Sequence, residues 1–338
     1  LESFVTDDCA ENKKLGDIRV SVVIPTFNRA SSLAVTLAGL SRQTLSPELF
    51  EVIVVSDGCT DNTGEVVSRY DASVLNEVRL IKQANNGPSA ARNRGIAEAK
   101  HELIVFLDDD VEPIPSFLES HSSWQSSGQP FAVIGPMFPD PALQSQEPFW
   151  ISWEHSKLGR VYDMFRPGGP YPDGCCGPTH FYSGNASVLR SLIVSSGGFD
   201  LRYKRQEDVE LANRLAAQFP IKFVFDFNAI GIHRPVRSFE SWLKIPQDYG
   251  RLDAQRLADG TATYESIRRN LEDRHYLSRL LAKAAKRSPI TADLTIGALQ
   301  SAALLASRIR LNRTANLLLS GLYNALYCRA FYKASKIT

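Results

Sequence analysis

Four apolar, largely β-branched runs, "VSVVIP" (20–25), "EVIVVS" (51–56), "VRLIKQ" (78–83) and "ELIVFL" (102–107), alternate with segments of helical spacing at 30–44, 61–70 and 88–99. Leu33, Leu37 and Leu40 fall on one face of the first helical segment. Strand–helix–strand alternation implies a parallel sheet with right-handed crossovers, and near-continuous apolar strands imply cover on both faces. Two of the runs end in acid, "VIVVSDGCTD" and "LIVFLDDDVEP". A carboxylate inside a buried strand must be desolvated at a cost of several kcal/mol, so these acids belong where the strands stop. The carboxyl ends of strands in an open parallel sheet border the ligand crevice. Both acidic clusters are therefore expected to face one site.

A chain of 338 residues, 43% hydrophobic and 22% charged, can build one large or two ordinary domains. Its formal net charge of +1 argues against a general polyanion binder, so nucleic acid is not an expected partner. Cys9, Cys59, Cys175, Cys176 and Cys328 are an odd, unevenly spaced set. They fit a reducing compartment rather than a disulfide framework. No secretory signal is visible, and a cytoplasmic location is expected. The vicinal Cys175-Cys176 pair and His180 lack the spacing of a zinc site and read as structural.

From about 128 to 180 the composition shifts to Pro, Gly and aromatics, which predicts loops and short strands with little helix. Long irregular stretches inside a domain commonly carry function. A helix is expected over about 207–217, then the strand-like "IKFVFDFNAIGIH", and helix from Phe239 to the end. Within that tail, 292–307 and 315–332 are apolar but are split by Arg308, Arg310 and Arg313. Neither reaches the roughly 20 uninterrupted apolar residues of a membrane span. They read as a helical pair packed on the domain or as a surface-lying helix. In the second case the arginines and the "KASK" end meet anionic lipid in a peripheral membrane contact.

Several residues have the chemistry of a site. Asp57 ends the second strand, where it is either a turn acid or a ligand group. "VIPTFNRA" places Pro25, Thr26, Asn28 and Arg29 at a strand-to-helix turn, suited to a nucleotide or phosphate and equally to ordinary capping. "NNGPSAARNRG" opens a helix bearing Arg92 and Arg94; it has neither the GK[ST] ending of a P-loop nor a GxGxxG fingerprint. In "FLDDDVEP" the adjacent carboxylates of Asp108, Asp109 and Asp110 raise one another's pKa unless a hard cation such as Mg²⁺ or Mn²⁺ neutralises them. Asp108 and Asp110 share a side if the chain is extended. Asp208 lies within about 60° of the Leu211 and Leu215 stripe at 100° per residue. A partly desolvated carboxylate there can act as a base, while Glu210 points away. His233 is a metal-ligand type, though a lone histidine is more often structural.

Taken in order, "VVIPTFNR", "VVSDGCTDNT", "NNGPSAARNRGI", "FLDDDV", "GNASV", "GGFD" and "EDVELANRL" resemble the family 2 glycosyltransferases over roughly residues 18–240. The resemblance implies the A-type glycosyltransferase fold, a Rossmann-like α/β domain with a mostly parallel central sheet flanked by helices. The implied organisation is an N-terminal extension (1–17), a catalytic domain (18–240, acceptor side about 128–240) and a C-terminal helical extension (241–338). It further implies transfer of one sugar from a nucleotide-sugar donor, a UDP-sugar first, to a glycan, lipid-linked or other hydroxyl acceptor, with inversion and with Mn²⁺ or Mg²⁺. Thr26 and Asp57 match base and ribose positions, with Pro25, Asn28 and Arg29 beside them. Arg92, Asp108 and Asp109 fall at the donor, and Asp110 and His233 at the metal. Asp208 matches the base, with Glu207 as its partner.

Ser56 replaces the first acid of a common Asp-Asp pair, and no QxxRW motif follows the base. That disfavours a polymer-building synthase. Phe149, Trp150, Trp153 and Tyr171 are expected to shape the acceptor side, because aromatic faces stack on sugars. A binding domain without catalysis, retaining chemistry on the same fold and a nucleotidyltransferase stand as alternatives. The last lacks the Gly- and basic-rich loop expected after the first strand.

Overall fold

The computed structural model describes residues 18–70, 75, 77–265, 267 and 289–335. The expected extension at 1–17, part of the C-terminal helical region at 268–288 and Lys336 of the "KASK" end lie outside the described residues. The expected alternation is present. It runs β1 (Val20–Thr26), α1 (Ala30–Leu40), β2 (Phe50–Asp57), α2 (Thr63–Ser68), β3 (Val78–Gln83), α3 (Pro88–Glu98) and β4 (Leu103–Leu107). Then come β5 (Val111–Pro113), α4 (Phe117–Ser123), β6 (Phe131–Ile134), β7 (Met137–Pro139) and α5 (Phe149–Asp163). β8 (Cys175–Cys176), β9 (Asn185–Leu189), α6 (Arg190–Ser195), α7 (Glu207–Gln218), β10 (Lys222–Phe225) and β11 (Gly231–His233) follow. Three long helices complete the described chain: α8 (Phe239–Ala258), α9 (Pro289–Arg308) and α10 (Asn312–Ser335).

The chain divides into two compact units that do not follow chain order. The first draws on Leu1–Pro141, Leu158–Arg202 and Gln206–Val236, and the second on Ala142–Lys157, Tyr203–Arg205 and Arg237–Thr338. In the first, an eight-stranded sheet has the order β3-β2-β1-β4-β9-β6-β10-β8. The four strands read from the sequence are mutually parallel. β9 runs antiparallel to both β4 and β6, and β8 antiparallel to β10, so the sheet as a whole is mixed. Strand alternation sends Val23, Ile53 and Phe106 to one face, against Ile96 of α3 and Leu211 and Leu215 of α7. Val22, Ile24 and Val54 go to the other, against Leu33, Leu37 and Leu40 of α1. Glu51 is the one acid inside these strands, and it is fully buried. Ser21 Oγ at 2.6 Å, the Lys100 N–H at 2.7 Å and Arg79 at 2.7 Å donate to it. Burial opposes its charge, but these donors more than offset it and lower its pKa.

The second sheet, β5-β11-β7, is small but positions chemistry. β11 pairs antiparallel with β5 so that His233 stands opposite Val111, the residue after Asp110. Similarly, Leu107 pairs with Asn185, which sets Gly184 beside Asp108.

The stretch 128–180 departs from the sequence expectation, because it contains the fifteen-residue α5. Its prolines and double glycine lie outside 149–163 and bound the helix rather than break it. The aromatic residues of this stretch each have ring neighbours. In the second unit Trp153 packs edge-on against Trp242, and Phe149 and Trp150 lie against Phe239. In the first, Tyr171 stacks on Phe165. Trp153 is buried, whereas Phe149, Trp150 and Tyr171 remain half-buried.

Candidate active site

The strand ends carry the acids, as expected, but with different surroundings. Asp57, buried at the end of β2, accepts from Gln83 Nε2 (2.8 Å), Asn86 N–H (2.9 Å) and Gly87 N–H (2.8 Å). Its carboxylate thus shapes the 84–87 turn that opens α3, where Gly87 holds φ 88°. Asn28, at φ 52°, accepts from the Thr60 N–H at 2.8 Å, and its own N–H meets Cys59 Sγ at 3.3 Å. Asp61 accepts from the first N–H groups of both neighbouring helices, Ala30 at 3.0 Å and Thr63 at 3.2 Å. The turns after β1 and β2 are in this way tied into one surface.

The three acids after β4 separate. Asp109 points inward and accepts from Thr26 Oγ1 at 2.7 Å and Arg29 Nη1 at 3.1 Å, while its carbonyl accepts from Thr36 Oγ1. Burial pushes Asp109 up to about 6, against the pull of Arg29. Asp110 takes the same Arg29 nitrogen at 3.0 Å through Oδ2, and its Oδ1 lies 3.7 Å from His233 Nε2. Asp108 is the more open, with 37% of its side chain exposed. A Cβ at Gly184 would come within 2.8 Å of Asp108 Oδ2, so glycine leaves that carboxylate its room.

Arg92 joins this cluster to α7. It is 5% exposed and donates Nη2 to Asp108 Oδ1 at 2.9 Å and Nη1 to Glu207 Oε1 at 3.1 Å. Its guanidinium lies 5.7 Å from the Phe199 ring centre, and Phe199 is held at both backbone groups by the Asn93 amide. Burial opposes its charge, yet Asp108, Glu207 and Asp208 raise its pKa further. α7 starts from Gln206 in the left-handed conformation, φ 56°. Asp208 follows, accepting from Val209 N–H at 2.8 Å and from Ser183 N–H at 3.4 Å. Burial and the adjacent Glu207 push Asp208 up to about 6, against those N–H groups and Arg92.

Contacts join Thr26, Arg29, Asp109, Asp110 and His233 in one group and Arg92, Asp108 and Glu207 in another, the two meeting at the Asp108–Asp109 peptide. Asp208 follows Glu207 in the chain, while Asn28 and Asp57 hold the neighbouring turns. Pro25 sits within β1, paired with Val55. Sequence reasoning passed over Ser183 and Gly184, whose part depends on β9 lying beside β4. It also passed over Phe27, one of the few large apolar side chains left open, at 48% exposure. Its position in the "PTFNR" turn was the available signal.

Residues 21–177 match glycosyl transferase family 2. Validoxylamine A glucosyltransferase of Streptomyces hygroscopicus subsp. limoneus is 33% identical over 218 residues, covering 59% of this chain and 48% of that protein. The chain therefore spans about half the length of that relative. The hyaluronan synthase of Pasteurella multocida is 35% identical over 231 residues, covering 59% of this chain but 23% of its own. Among solved structures, mannosyltransferase PcManGT from Pyrobaculum calidifontis in complex with GDP-Man and Mn²⁺ superposes with a TM-score of 0.59 at 20% identity. That alignment covers 95% of this chain and 90% of the other. The likeness establishes the A-type fold with its C-terminal helices.

Proposed function

We propose that this chain, whose residues 21–177 match glycosyl transferase family 2, belongs to that family and transfers one sugar from a nucleotide diphosphate donor, a UDP-sugar first, to an acceptor hydroxyl with inversion. One observation carries the reading: Arg92 binds in a single bridge the acid cluster at the end of β4 and the carboxylates at the start of α7. Donor-side and base-side groups thereby share one site. The turn surface of Thr26, Asn28 and Asp57 receives the base and ribose, and the open ring of Phe27 offers the base a face. Asp108 lies nearest the ribose and sugar. Asp109 braces Thr26 and Arg29 from within. Asp208, supported by Glu207 and Arg92, accepts the acceptor's hydroxyl proton as its oxygen attacks the anomeric carbon opposite the leaving diphosphate.

Asp110 and His233 fit a divalent cation that arrives with the donor. Their oxygen and nitrogen face each other, and no cluster of three His, Cys, Asp or Glu forms among the described residues. A site of few protein ligands leaves positions for diphosphate oxygens and water, as Mg²⁺ and Mn²⁺ sites commonly do. When bound there, Mn²⁺ or Mg²⁺ would supply Lewis-acid stabilisation of the departing diphosphate. Arg29, already on Asp110, is placed to turn toward phosphate oxygens.

Two measurements test the proposal. A panel of nucleotide sugars with Mn²⁺ should contain one that raises Tm, with about 2.7 kcal/mol added at 100 times its dissociation constant. That donor should then be consumed with a hydroxyl acceptor. In calorimetry, UDP should bind more tightly with Mn²⁺ than without, and Asp110→Ala should remove the difference. Asp109→Ala should chiefly lower Tm, because Thr26 Oγ1 and Arg29 lose a buried partner. Equal UDP affinity with and without Mn²⁺ would sink the metal assignment, and turnover of no donor would sink the transferase.

A further inference from the structure

α9 and α10 are joined by a three-residue turn of unusual chemistry. The turn closes α9 with the Arg310 N–H on the Ser307 carbonyl at 3.1 Å and the Leu311 N–H on the Ala306 carbonyl at 2.9 Å. This is the paired closure normally made with glycine in the left-handed position. Here that position is Arg310, at φ 58°, a conformation with a steric cost that glycine would avoid. The leucine that follows does not fold back over the helix end. Leu305, Ile309, Leu311 and Leu317 are instead 60%, 59%, 50% and 44% exposed.

Arg308, Arg310 and Arg313 are exposed among them, and none pairs with a carboxylate of the described residues. Along the chain beyond Asp293 the charge is of one sign. After Asp293 the sequence has no Asp or Glu, but it has Arg308, Arg310, Arg313, Arg329, Lys333 and Lys336. By contrast, the apolar residues farther along α10 are turned inward. Leu319, Leu322 and Leu326 are buried with Trp242 and Trp153 in the second unit's core, and Phe331 is buried too. A helix lying flat on a surface, one of the two readings of the tail, would need those residues outside. No described helix is long and apolar enough to cross a membrane.

We propose that the α9–α10 turn docks on an anionic lipid bilayer, Arg308, Arg310 and Arg313 meeting head groups while Leu305, Ile309, Leu311 and Leu317 enter the acyl boundary. Alternating cations and aliphatics on an exposed turn match the two layers of that interface, where basic residues near the surface and shallow apolar burial act together. A nucleic-acid contact would use the cations but leave the aliphatics in water. The strained Arg310 follows from the same argument, since it directs a cation outward at the apex. This inference is independent of the chemistry at the strand ends.

The test is sedimentation of the full chain with vesicles of phosphatidylcholine alone or enriched in phosphatidylglycerol, at low and high salt. Wild type should partition onto the anionic vesicles only, and less at high salt. Arg308→Gln, Arg310→Gln and Arg313→Gln together should weaken partitioning on the order of 100-fold, about fivefold for each charge. Ile309→Ser with Leu311→Ser should weaken it at least roughly tenfold. Both variants should melt as wild type does, because the side chains are exposed. Arg310→Gly should melt higher yet bind less. Failure to bind anionic vesicles would overturn the proposal, as would equal binding to neutral ones or undiminished binding by both multiple variants. Retention on a DNA duplex that depends on the arginines and is indifferent to Ile309 and Leu311 would overturn it in favour of a polyanion contact.

Discussion

Asp208→Asn is expected to lower kcat by roughly 10²–10⁴-fold, the usual cost of losing a general base, with little change in the nucleotide dissociation constant. The amide still offers an oxygen to the Val209 N–H, 2.8 Å away in the wild type, so the start of α7 is kept. Wild-type kcat should fall as pH drops through about 6, where burial and Glu207 place the Asp208 titration, because only the ionised form accepts a proton. The stability effect has the opposite sense. A carboxyl whose folded pKa is raised favours folding most when protonated, below its unfolded value near 4, and loses that contribution as pH rises through about 6. At pH 7.5 Asp208→Asn should therefore be more stable than wild type, by on the order of 1 kcal/mol after allowance for partial exposure. Glu210→Gln is the control, since Glu210 is engaged by Arg214 at 2.6 Å on the outer side of α7. Loss of nucleotide affinity with activity would make Asp208 a structural cap. Unchanged turnover would move the base elsewhere, Glu207 first.

Arg92→Met should be the most damaging single change to the fold of the site. It leaves Asp108 and Glu207 without their shared cation, and removing one partner from a buried ion pair typically costs about 3–5 kcal/mol. At a few degrees per kcal/mol for a unit of this size, Tm should drop by roughly 10 °C. Arg92→Lys should recover only part of this, because an ammonium cannot present two donors to separate carboxylates in a planar fork. The remaining repulsion between Glu207 and Asp208 should also move the acid limb of the pH profile upward where activity survives. A Tm for Arg92→Met within a degree of wild type would show that the bridge does not hold the two sides together.

The parallel half of the sheet was legible in the sequence because its signals are local. The apolar runs at 20–25, 51–56, 78–83 and 102–107 coincide with β1 to β4 within a residue or two, and period-2 alternation within them already determines which side chains meet α1 and which meet α3. The acids at the strand ends were legible on the same grounds, since a carboxylate is excluded from a dry strand interior unless, like Glu51, it is fully paired. The spacing of Asp208 from Leu211 and Leu215 placed that acid at the edge of the buried face before any contact was known.

Whatever depended on distant pairing was not legible. The α5 window contains no proline, but averaging composition over 128–180 concealed it, and only the packing of Trp153 on Trp242 decides where its rings go. Nothing in the run "DDD" indicates that Asp109 turns inward to Thr26 while Asp110 faces His233. That division follows from β11 pairing with β5, some 120 residues away in the chain. Gly184 acquires its role only when β9 comes to lie beside β4, and Arg92 only when α7 presents Glu207 to it. Residue type and spacing determine which groups can leave water and on which face they leave it, because desolvation and periodicity act on the local chain. Which carboxylate meets which cation was left to the tertiary structure, because ion pairs form between groups brought together in space and local sequence does not record which strands will be neighbours.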